Sequence, residues 1–449
     1  MTNKTGIKII MALALPTMLE QLMQTAVQYI DTAMVGSLGT NATAAVGSTT
    51  TVNWLVGSSI SALAIGFLAY IAKALGGGDA DSAKKASAQS VFAVLVTGAL
   101  FTALTLSLSG AVPVLMQVAK PIQKTAAKYF FILYLPMLPR TASTIFGTVL
   151  RAAGDSKTPM QVGVLVNVTN VLLNLLLIYP THKFMGVTVF GAGLGVMGAA
   201  IASAIAFTLG GALITIKLFC HKTISPKGYS IKPDKSVLAP CLKVAIPNML
   251  QRFATSLGYV AFASMINSLG AVSTAAHTIA NTVESVFYIP GYGMQTASAT
   301  LAGNANGAKD PKMLNSNCKT IVAIETVLMI ISGGLLFVFA RPLVSLFSKT
   351  PAVIALGSTV LKMVALSEPF YGVSIVLEGM LQGLGNTKAP FVFNIIGMWG
   401  IRIIGTFLCI SLFNMGLVSA WTCMILHNLF LFLAFALYSK NLLKKRLFF

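Results

Sequence analysis

The stretch Arg151-Ala152-Ala153-Gly154-Asp155-Ser156-Lys157-Thr158-Pro159 returns as Gln382-Gly383-Leu384-Gly385-Asn386-Thr387-Lys388-Ala389-Pro390, 231 positions further along the chain. The same offset carries Pro16 to Pro247, Leu38-Gly39 to Leu269-Gly270, Ala44 to Ala275 and Asp79 to Asp310. A register kept over so long a distance without insertion marks the repeat of a whole helical bundle, not of a small solenoid unit. The chain has 449 residues, 56% of them hydrophobic and only 9% charged, with a mean hydropathy of +0.82, so the bundle belongs in a bilayer.

Stretches of the ~20 apolar residues that cross the hydrocarbon fall at 9–35, 46–72, 88–116, 127–150, 160–180, 194–218, 241–267, 274–302, 318–340, 355–381, 391–413 and 416–439. They predict an all-α integral membrane protein with twelve transmembrane helices in two six-helix bundles. The expected domains are an amino-terminal lobe, 1–219, a basic cytoplasmic linker, 220–240, and a carboxy-terminal lobe, 241–449. Six is even, so the second bundle enters the membrane from the same side as the first. The lobes are then parallel repeats about an axis along the membrane normal, with a central cleft expected near the midplane. The first span exceeds a signal-peptide core and lacks a small-residue cleavage site, so it is expected to remain in the membrane.

A net charge of +20 raises the question of nucleic acid, and the placement of the cations answers it. Sorted by the loops between spans, 21 Lys and Arg fall on one side and 7 on the other. That bias is a topology signal, placing both termini in the cytoplasm of a multi-pass plasma-membrane protein. Nucleic acid is not an expected partner. Five cysteines without a CxxC pair support neither a disulfide frame nor a zinc site. His277 and His427 lie inside spans without metal-ligand spacing and read as packing residues. No GxxxxGK[ST] occurs, and Gly191-Ala192-Gly193-Leu194-Gly195 enters a membrane helix instead of following a strand. Neither enzymatic chemistry nor a cofactor is expected.

Function is best sought among the acids, because a carboxylate in hydrocarbon costs ~2.5–3.5 kcal/mol on insertion scales. Of eleven acids, Asp79, Asp81, Asp155, Asp234 and Asp310 fall in loops, while Glu20, Asp31, Glu284, Glu325, Glu368 and Glu378 fall in or near spans. Asp31 lies fifteen residues beyond Pro16, too deep for its short side chain to reach cytoplasmic water. Pro16 breaks a backbone hydrogen bond and permits a bend in that helix. Asn167, Asn170 and Asn174, spaced at three and four, share one helical face, and Ser203 follows on the next helix. With Asp31, these side chains offer a site for one proton or one Na⁺, or else interhelical hydrogen-bond glue. An ion pair of Asp31 with Arg140 is the competing structural expectation.

In the second half Glu284 occupies the repeat position of Asn53, which places a polar side chain at the same depth of both second helices and makes the two cleft candidates. Glu368 and Glu378 are further cleft candidates, with Arg402 as their expected ion-pair partner. Glu20 and Glu325 fall near span ends and are expected to be solvated; Arg252 is expected to snorkel.

Ala14-Leu15-Pro16 followed by Asp31-Thr32-Ala33-Met34-Val35-Gly36-Ser37-Leu38-Gly39 resembles the first-helix signature of the multidrug and toxic compound extrusion (MATE) family. The paired loops at 151–159 and 382–390 are similar to that family's "RAxGDTKxP" loops. Glu284-Ser285 with Pro290-Gly291-Tyr292-Gly293 and Gly303–Ala308 is similar to its eighth-helix pattern. The resemblance covers nearly the whole chain. It implies a secondary antiporter that exports organic cations in exchange for H⁺ or Na⁺ by alternating access, acting as a monomer among membrane lipids. It implies further that Asp31, Asn170 and Ser203 match members of an amino-terminal cation site and that Pro16 matches a proline where the first helix bends. Asn174 departs from relatives with Asp there, and Phe262 stands at the repeat position of Asp31, so coupling is expected in the amino-terminal lobe with H⁺ ahead of Na⁺, Na⁺ remaining possible at Asp31, Asn170 and Asn174. The alternative is a lipid-linked oligosaccharide flippase of the same superfamily.

Overall fold

The computed structural model describes residues 3–447 except 48, 117, 185 and 186. The first six passes are α1 (Asn3–Gly36); α2 (Thr40–Gly47) with α3 (Thr50–Gly76); α4 (Ala80–Ser107), followed by the single turn α5 (Val112–Leu115); α6 (Lys120–Tyr134) with α7 (Met137–Ala152); α8 (Lys157–Leu177); and α9 (Val196–Phe219). The second six are α10 (Lys235–Asn267); α11 (Ala271–Phe287) with α12 (Ile289–Gly307); α13 (Pro311–Phe347); α14 (Pro351–Ala365) with α15 (Glu368–Gly383); α16 (Lys388–Ile395) with α17 (Ile404–Phe407); and α18 (Leu417–Leu447). The eleventh pass has π-helical turns at Ile396–Ile403 and Leu408–Leu412 on either side of α17. Among the described residues eight helices are long and apolar enough to cross a membrane, and α14–α15, bent by 54°, makes a ninth pass. Of the remaining three, α6–α7 and α11–α12 are broken into shorter helices, while α10 carries Asn248, Gln251 and Arg252 in its middle.

The repeat is copied in local geometry. Shifted by 231, the bounds of α6 and α7 fall on those of α14 and α15. Gly154 (φ +87°) and Gly385 (φ +77°) hold the same left-handed turn, which closes when Asp155 N–H donates to Leu150 O (3.0 Å) and Asn386 N–H to Leu381 O (2.8 Å). This is the helix-ending turn that favours glycine, and it explains why the paired loop motifs keep Gly at that position. A feature not expected from the sequence is a hairpin between α8 and α9, in which β1 (Pro180–Phe184) pairs antiparallel with β2 (Val187–Ala192). The Cβ-branched run Val187-Thr188-Val189 favours extended backbone, but the segment is too short to show a period beside the long helical pattern.

The chain divides into two compact units. One comprises Leu19–Phe67 and Ala80–Pro240, the other Met1–Met18, Leu68–Asp79 and Cys241–Phe449. Thus α1 passes from one unit to the other between Met18 and Leu19, two residues beyond Pro16. In the amino-terminal unit Phe67, Phe130, Ile145 and Leu150 are fully buried, and Phe130 stacks on Tyr134 at 4.3 Å. In the carboxy-terminal unit Phe262, Leu336, Val360 and Trp421 form one core and Leu381 with Phe435 another. There α15 backs onto α12 through Gly379 and Gly383, where a Cβ would run into the carbonyls of Gln295 and Ala299. Small residues one turn apart let helix backbones approach closely, the packing that bilayers reward.

The segment between α9 and α10 is fastened to α4. The Gln89 amide donates to the carbonyls of Ser230 (3.2 Å) and Lys232 (2.8 Å) and accepts from Asp234 N–H (2.9 Å). Lys85 pairs with Asp234 at 2.6 Å, and Tyr229 donates to Asp81 at 2.5 Å. Asp234 also caps α10 through Ser236 N–H at 2.8 Å. The Lys85 bond first, and the Ser236 bonds after it, pull the Asp234 carboxyl down to about 2.

Substituting Gly383→Val overpacks the α12–α15 contact and should cost about 1–3 kcal/mol, whereas Gly334→Ala, with nothing within 4 Å, should leave stability unchanged; thermal unfolding in detergent compares the two. Because Asp234 is depressed below its unfolded value near 3.9, its contribution is complete above that value and fades only as pH falls toward about 2. The Asp234 and Ser236 amides should therefore stay protected from hydrogen exchange, after correction for intrinsic rates, from about pH 8 to pH 5. Asp234→Ala should lose that protection throughout.

Candidate functional site

Asp31 lies in the last turns of α1, in the amino-terminal unit. The end of that helix is tied to the residue after α8 and its cap: Ser37 Oγ lies 2.9 Å from the Tyr179 hydroxyl, which donates to Met34 O at 3.2 Å. Asn170 and Asn174 stand one turn apart on α8, and α8 packs along α9, which carries Ser203. Asn174 Nδ2 donates to Asp31 Oδ1 at 2.6 Å. With the Asn170 amide oriented so that its oxygen accepts from Ser203 Oγ (3.1 Å), its nitrogen lies 3.0 and 3.1 Å from the two Asp31 oxygens. The two asparagines are buried and Asp31 is half-buried. All four predicted members of the site come together; Asn167, on the same helix, makes no bond to Asp31. The carboxylate meets neutral amide donors. For a hard cation, the oxygen donors in reach are those of Asp31, Asn170 and Ser203, together with Asn174 Oδ1, which is buried and unpartnered.

The expected ion pair between Asp31 and Arg140 does not form. Arg140 instead donates through one terminal nitrogen to Asn53 Oδ1 at 2.5 Å, with the Tyr134 hydroxyl 3.4 Å from the same oxygen. Its guanidinium lies over the rings of Phe207 (4.9 Å) and Tyr134 (5.6 Å). Aromatic faces and one amide thus hold this planar cation in place of a carboxylate, while its other terminal nitrogen, Nη1, is buried without a hydrogen-bond partner among the described residues. Asn53, predicted from its repeat relation to Glu284, is thus the anchor of that arginine.

In the carboxy-terminal unit Glu378 is bonded to amides and not to Arg402. Gln251 donates to it at 2.8 Å, Gln382 at 3.0 Å and Asn394 at 3.4 Å. Arg402, in the first π-helical stretch, lies over Phe262 (4.1 Å) and Tyr259 (5.1 Å). Glu284 is buried within electrostatic reach of Arg402, and Glu368 opens α15 just after the bend, fully buried. Glu20, with 22% of its side chain exposed, pairs with Arg151 at 2.5 Å; the expectation of solvation fails at Glu325. Glu325 is 0% exposed, because α13 runs 37 residues and begins two turns before the predicted span, leaving Glu325 near its middle. Arg252 turns back along α10 to Asn248 Oδ1 at 3.4 Å. His277 packs edge-on to Phe262 and Trp421, and His427 lies against Gly397.

Sequence reading missed Gln251, Gln382 and Asn394 around Glu378, and Tyr134 and Phe207 around Arg140. Gln382 was within reach, since it stands four residues after Glu378 on one helix face. The others come from different helices and leave no spacing signal.

Comparison with known proteins places the chain. The model of the MatE family matches residues 16–176 and again 247–408, so the chain belongs to the MatE family. A probable multidrug resistance protein NorM of Thermotoga maritima is 28% identical over 423 residues, covering 94% of this chain and 90% of its own length. The probable multidrug resistance protein YpnP of Bacillus subtilis is 29% identical over 408 residues, with 89% and 88% covered. A solved MOP superfamily transporter from Pyrococcus furiosus superposes with a TM-score of 0.91 at 20% identity over 98% of this chain and 96% of that one. The all-helical membrane fold read from the sequence is therefore this family's fold, and the two matched segments begin at the repeat partners Pro16 and Pro247.

Proposed function

We propose that this MatE family member is a secondary antiporter of the plasma membrane, expelling organic cations in exchange for protons bound at Asp31. The relatives named as multidrug resistance proteins support export of drug-like molecules. One observation carries the coupling site: the single acid of the outer half of α1 is met by amide donors, while the cation expected to pair with it, Arg140, donates to Asn53. A fixed cation would hold the carboxylate ionised through the cycle, whereas neutral donors let it exchange charge with a ligand. Amide nitrogens turned toward the carboxylate also favour H⁺ over Na⁺, which would need oxygens there.

In this reading, protonation of Asp31 releases its bonds to Asn174 and Asn170. The end of α1 is then freed to move about Pro16, whose missing N–H already breaks one rung of the helix. Organic cation and proton exclude each other at the same negative charge. One-for-one exchange moves no net charge, so only the pH difference drives it, at ~1.4 kcal/mol per unit. Both termini lie in the cytoplasm, as the distribution of cations implies.

The test is uptake of a fluorescent organic cation into inside-out vesicles under an imposed H⁺ or Na⁺ gradient. Wild type should accumulate the cation about tenfold per pH unit at equilibrium and show no response to Na⁺. Asp31→Asn should abolish gradient-driven uptake; uptake by that variant at the wild-type rate would refute the assignment.

A further inference from the structure

Cys409 and Cys423 stand fourteen positions apart on the last two passes, and their sulfurs lie 4.0 Å from each other. Cys409 belongs to the second π-helical stretch, Leu408–Leu412, and Cys423 to α18. Two features of the eleventh pass bring the thiols together. Gly405, one turn before Cys409, leaves room for the Cys423 sulfur: a Cβ there would lie 3.1 Å from it. The chain then turns back through residues 413–416, where Phe413 N–H donates to Leu408 O (3.2 Å) and Met415 N–H to Cys409 O (2.9 Å). Asn414 takes the left-handed conformation within that reversal (φ +51°), which asparagine tolerates better than most residues. Cys409 is thus fixed through its own carbonyl at the start of the turn, with Cys423 across from it.

The exposures of the two thiols differ in a way that thiol–disulfide exchange can use. Cys409 is half-buried, whereas Cys423 is 6% exposed. Around Cys409 the surface is apolar, with Leu408, Leu412, Phe413 and Met415 all exposed. A small apolar disulfide therefore reaches Cys409 first, and Cys423 lies behind it as the resolving thiol. In the orientation proposed above, the eleventh pass starts at the cytoplasmic loop 382–390 and ends outside, so the pair lies toward the side where thiols are oxidised. An S–S bond is ~2.05 Å long, so the sulfurs have to close by about 2 Å. A change of one side-chain rotamer moves a sulfur that far.

We propose that Cys409 and Cys423 are a redox modification site, oxidised by a small disulfide to an intramolecular disulfide that ties the eleventh pass to α18. The Cys409 thiolate attacks the reagent RS–SR, forms a mixed disulfide and expels one RS⁻. The Cys423 thiolate then attacks the Cys409 sulfur, closes the S–S bond and expels the second RS⁻. Two cysteine thiols are oxidised by two electrons, RS–SR is reduced, and the two thiol protons leave on two RSH. π-Helical turns recur at functional sites, and the bond fixes the packing of this one against α18. The same pass carries Arg402 over Phe262 (4.1 Å) and Asn394, which donates to Glu378 (3.4 Å), so its restraint slows the transport cycle. The slowing rests on the antiport reading, and the bond does not.

To test it, the full-length protein in proteoliposomes is treated with 2,2′-dithiodipyridine, residual thiols are blocked with N-ethylmaleimide, and peptides are mapped by mass spectrometry. The peptides of Cys409 and Cys423 should be joined, lighter by two hydrogens than their sum, and separated again by dithiothreitol. In Cys423→Ser, Cys409 should instead keep one thiopyridyl group. A wild type in which Cys409 keeps that group, or in which both thiols take N-ethylmaleimide, overturns the site. Hydrogen exchange at the Phe413 and Met415 amides should slow on oxidation in wild type and not in Cys423→Ser; equal exchange in the two states contradicts the restraint. Ethidium uptake driven by a pH gradient should fall severalfold on oxidation and recover with dithiothreitol, while Cys409→Ser keeps the reduced wild-type rate throughout. Uptake that the bond leaves unchanged overturns the slowing. If reduced wild type takes up no ethidium while the peptides join and exchange slows, the antiport reading falls and the redox site stands.

Discussion

A carboxylate inside a bilayer must find hydrogen-bond donors, find a cation or give up its charge, and this constraint organises both halves of the protein. At Asp31 the solution is two amides from one face of α8, with Ser203 of α9 donating to the Asn170 oxygen. At Glu378 it is three amides from α10, α15 and α16. At Glu20 it is the guanidinium of Arg151, in the last turn of α7. Donor chemistry thus separates a carboxylate paired with a fixed cation from carboxylates met by neutral amides.

The repeat preserves the frame and not the charges. Left-handed turns recur at Gly39 and Gly270 and at Gly154 and Gly385, and the broken fourth pass is copied helix for helix. Yet Asp31 becomes Phe262, and Asn53 becomes Glu284. Each half still carries one arginine stacked on aromatic rings, Arg140 on Phe207 and Arg402 on Phe262, although they come from the fourth and eleventh passes. In the first half the arginine is fixed by the second-pass amide Asn53; in the second it lies over the residue that replaces Asp31. Common backbone geometry thus carries different charges in the two halves.

Much of the fold was legible because hydrophobic length and a fixed offset are properties of sequence alone. The Asp31 site was legible too, since Asn170 and Asn174 lie on one helix face and a buried acid needs such neighbours. The partners of Arg140 and Arg402 were not, because a cation can be satisfied by a carboxylate, an amide or a ring, and only packing chooses among them. Glu325 was misread for a simpler reason: hydropathy marks the apolar centre of a helix, whereas α13 extends into polar sequence starting at Pro311. All of the hairpin at Pro180–Ala192 but Pro180 falls between the spans predicted at 160–180 and 194–218, where periodicity has too few residues to speak.

In the proposed cycle Asp31 holds either a proton or the exported cation. The most direct test is to add ethidium to purified protein in weakly buffered solution and count protons released per cation bound, for wild type and Asp31→Asn. Release from Asp31 should approach one proton per bound cation at pH well below its titration midpoint and fall toward zero well above it, with none from that group in the variant. Binding without proton release, or equal release from the variant, would contradict it.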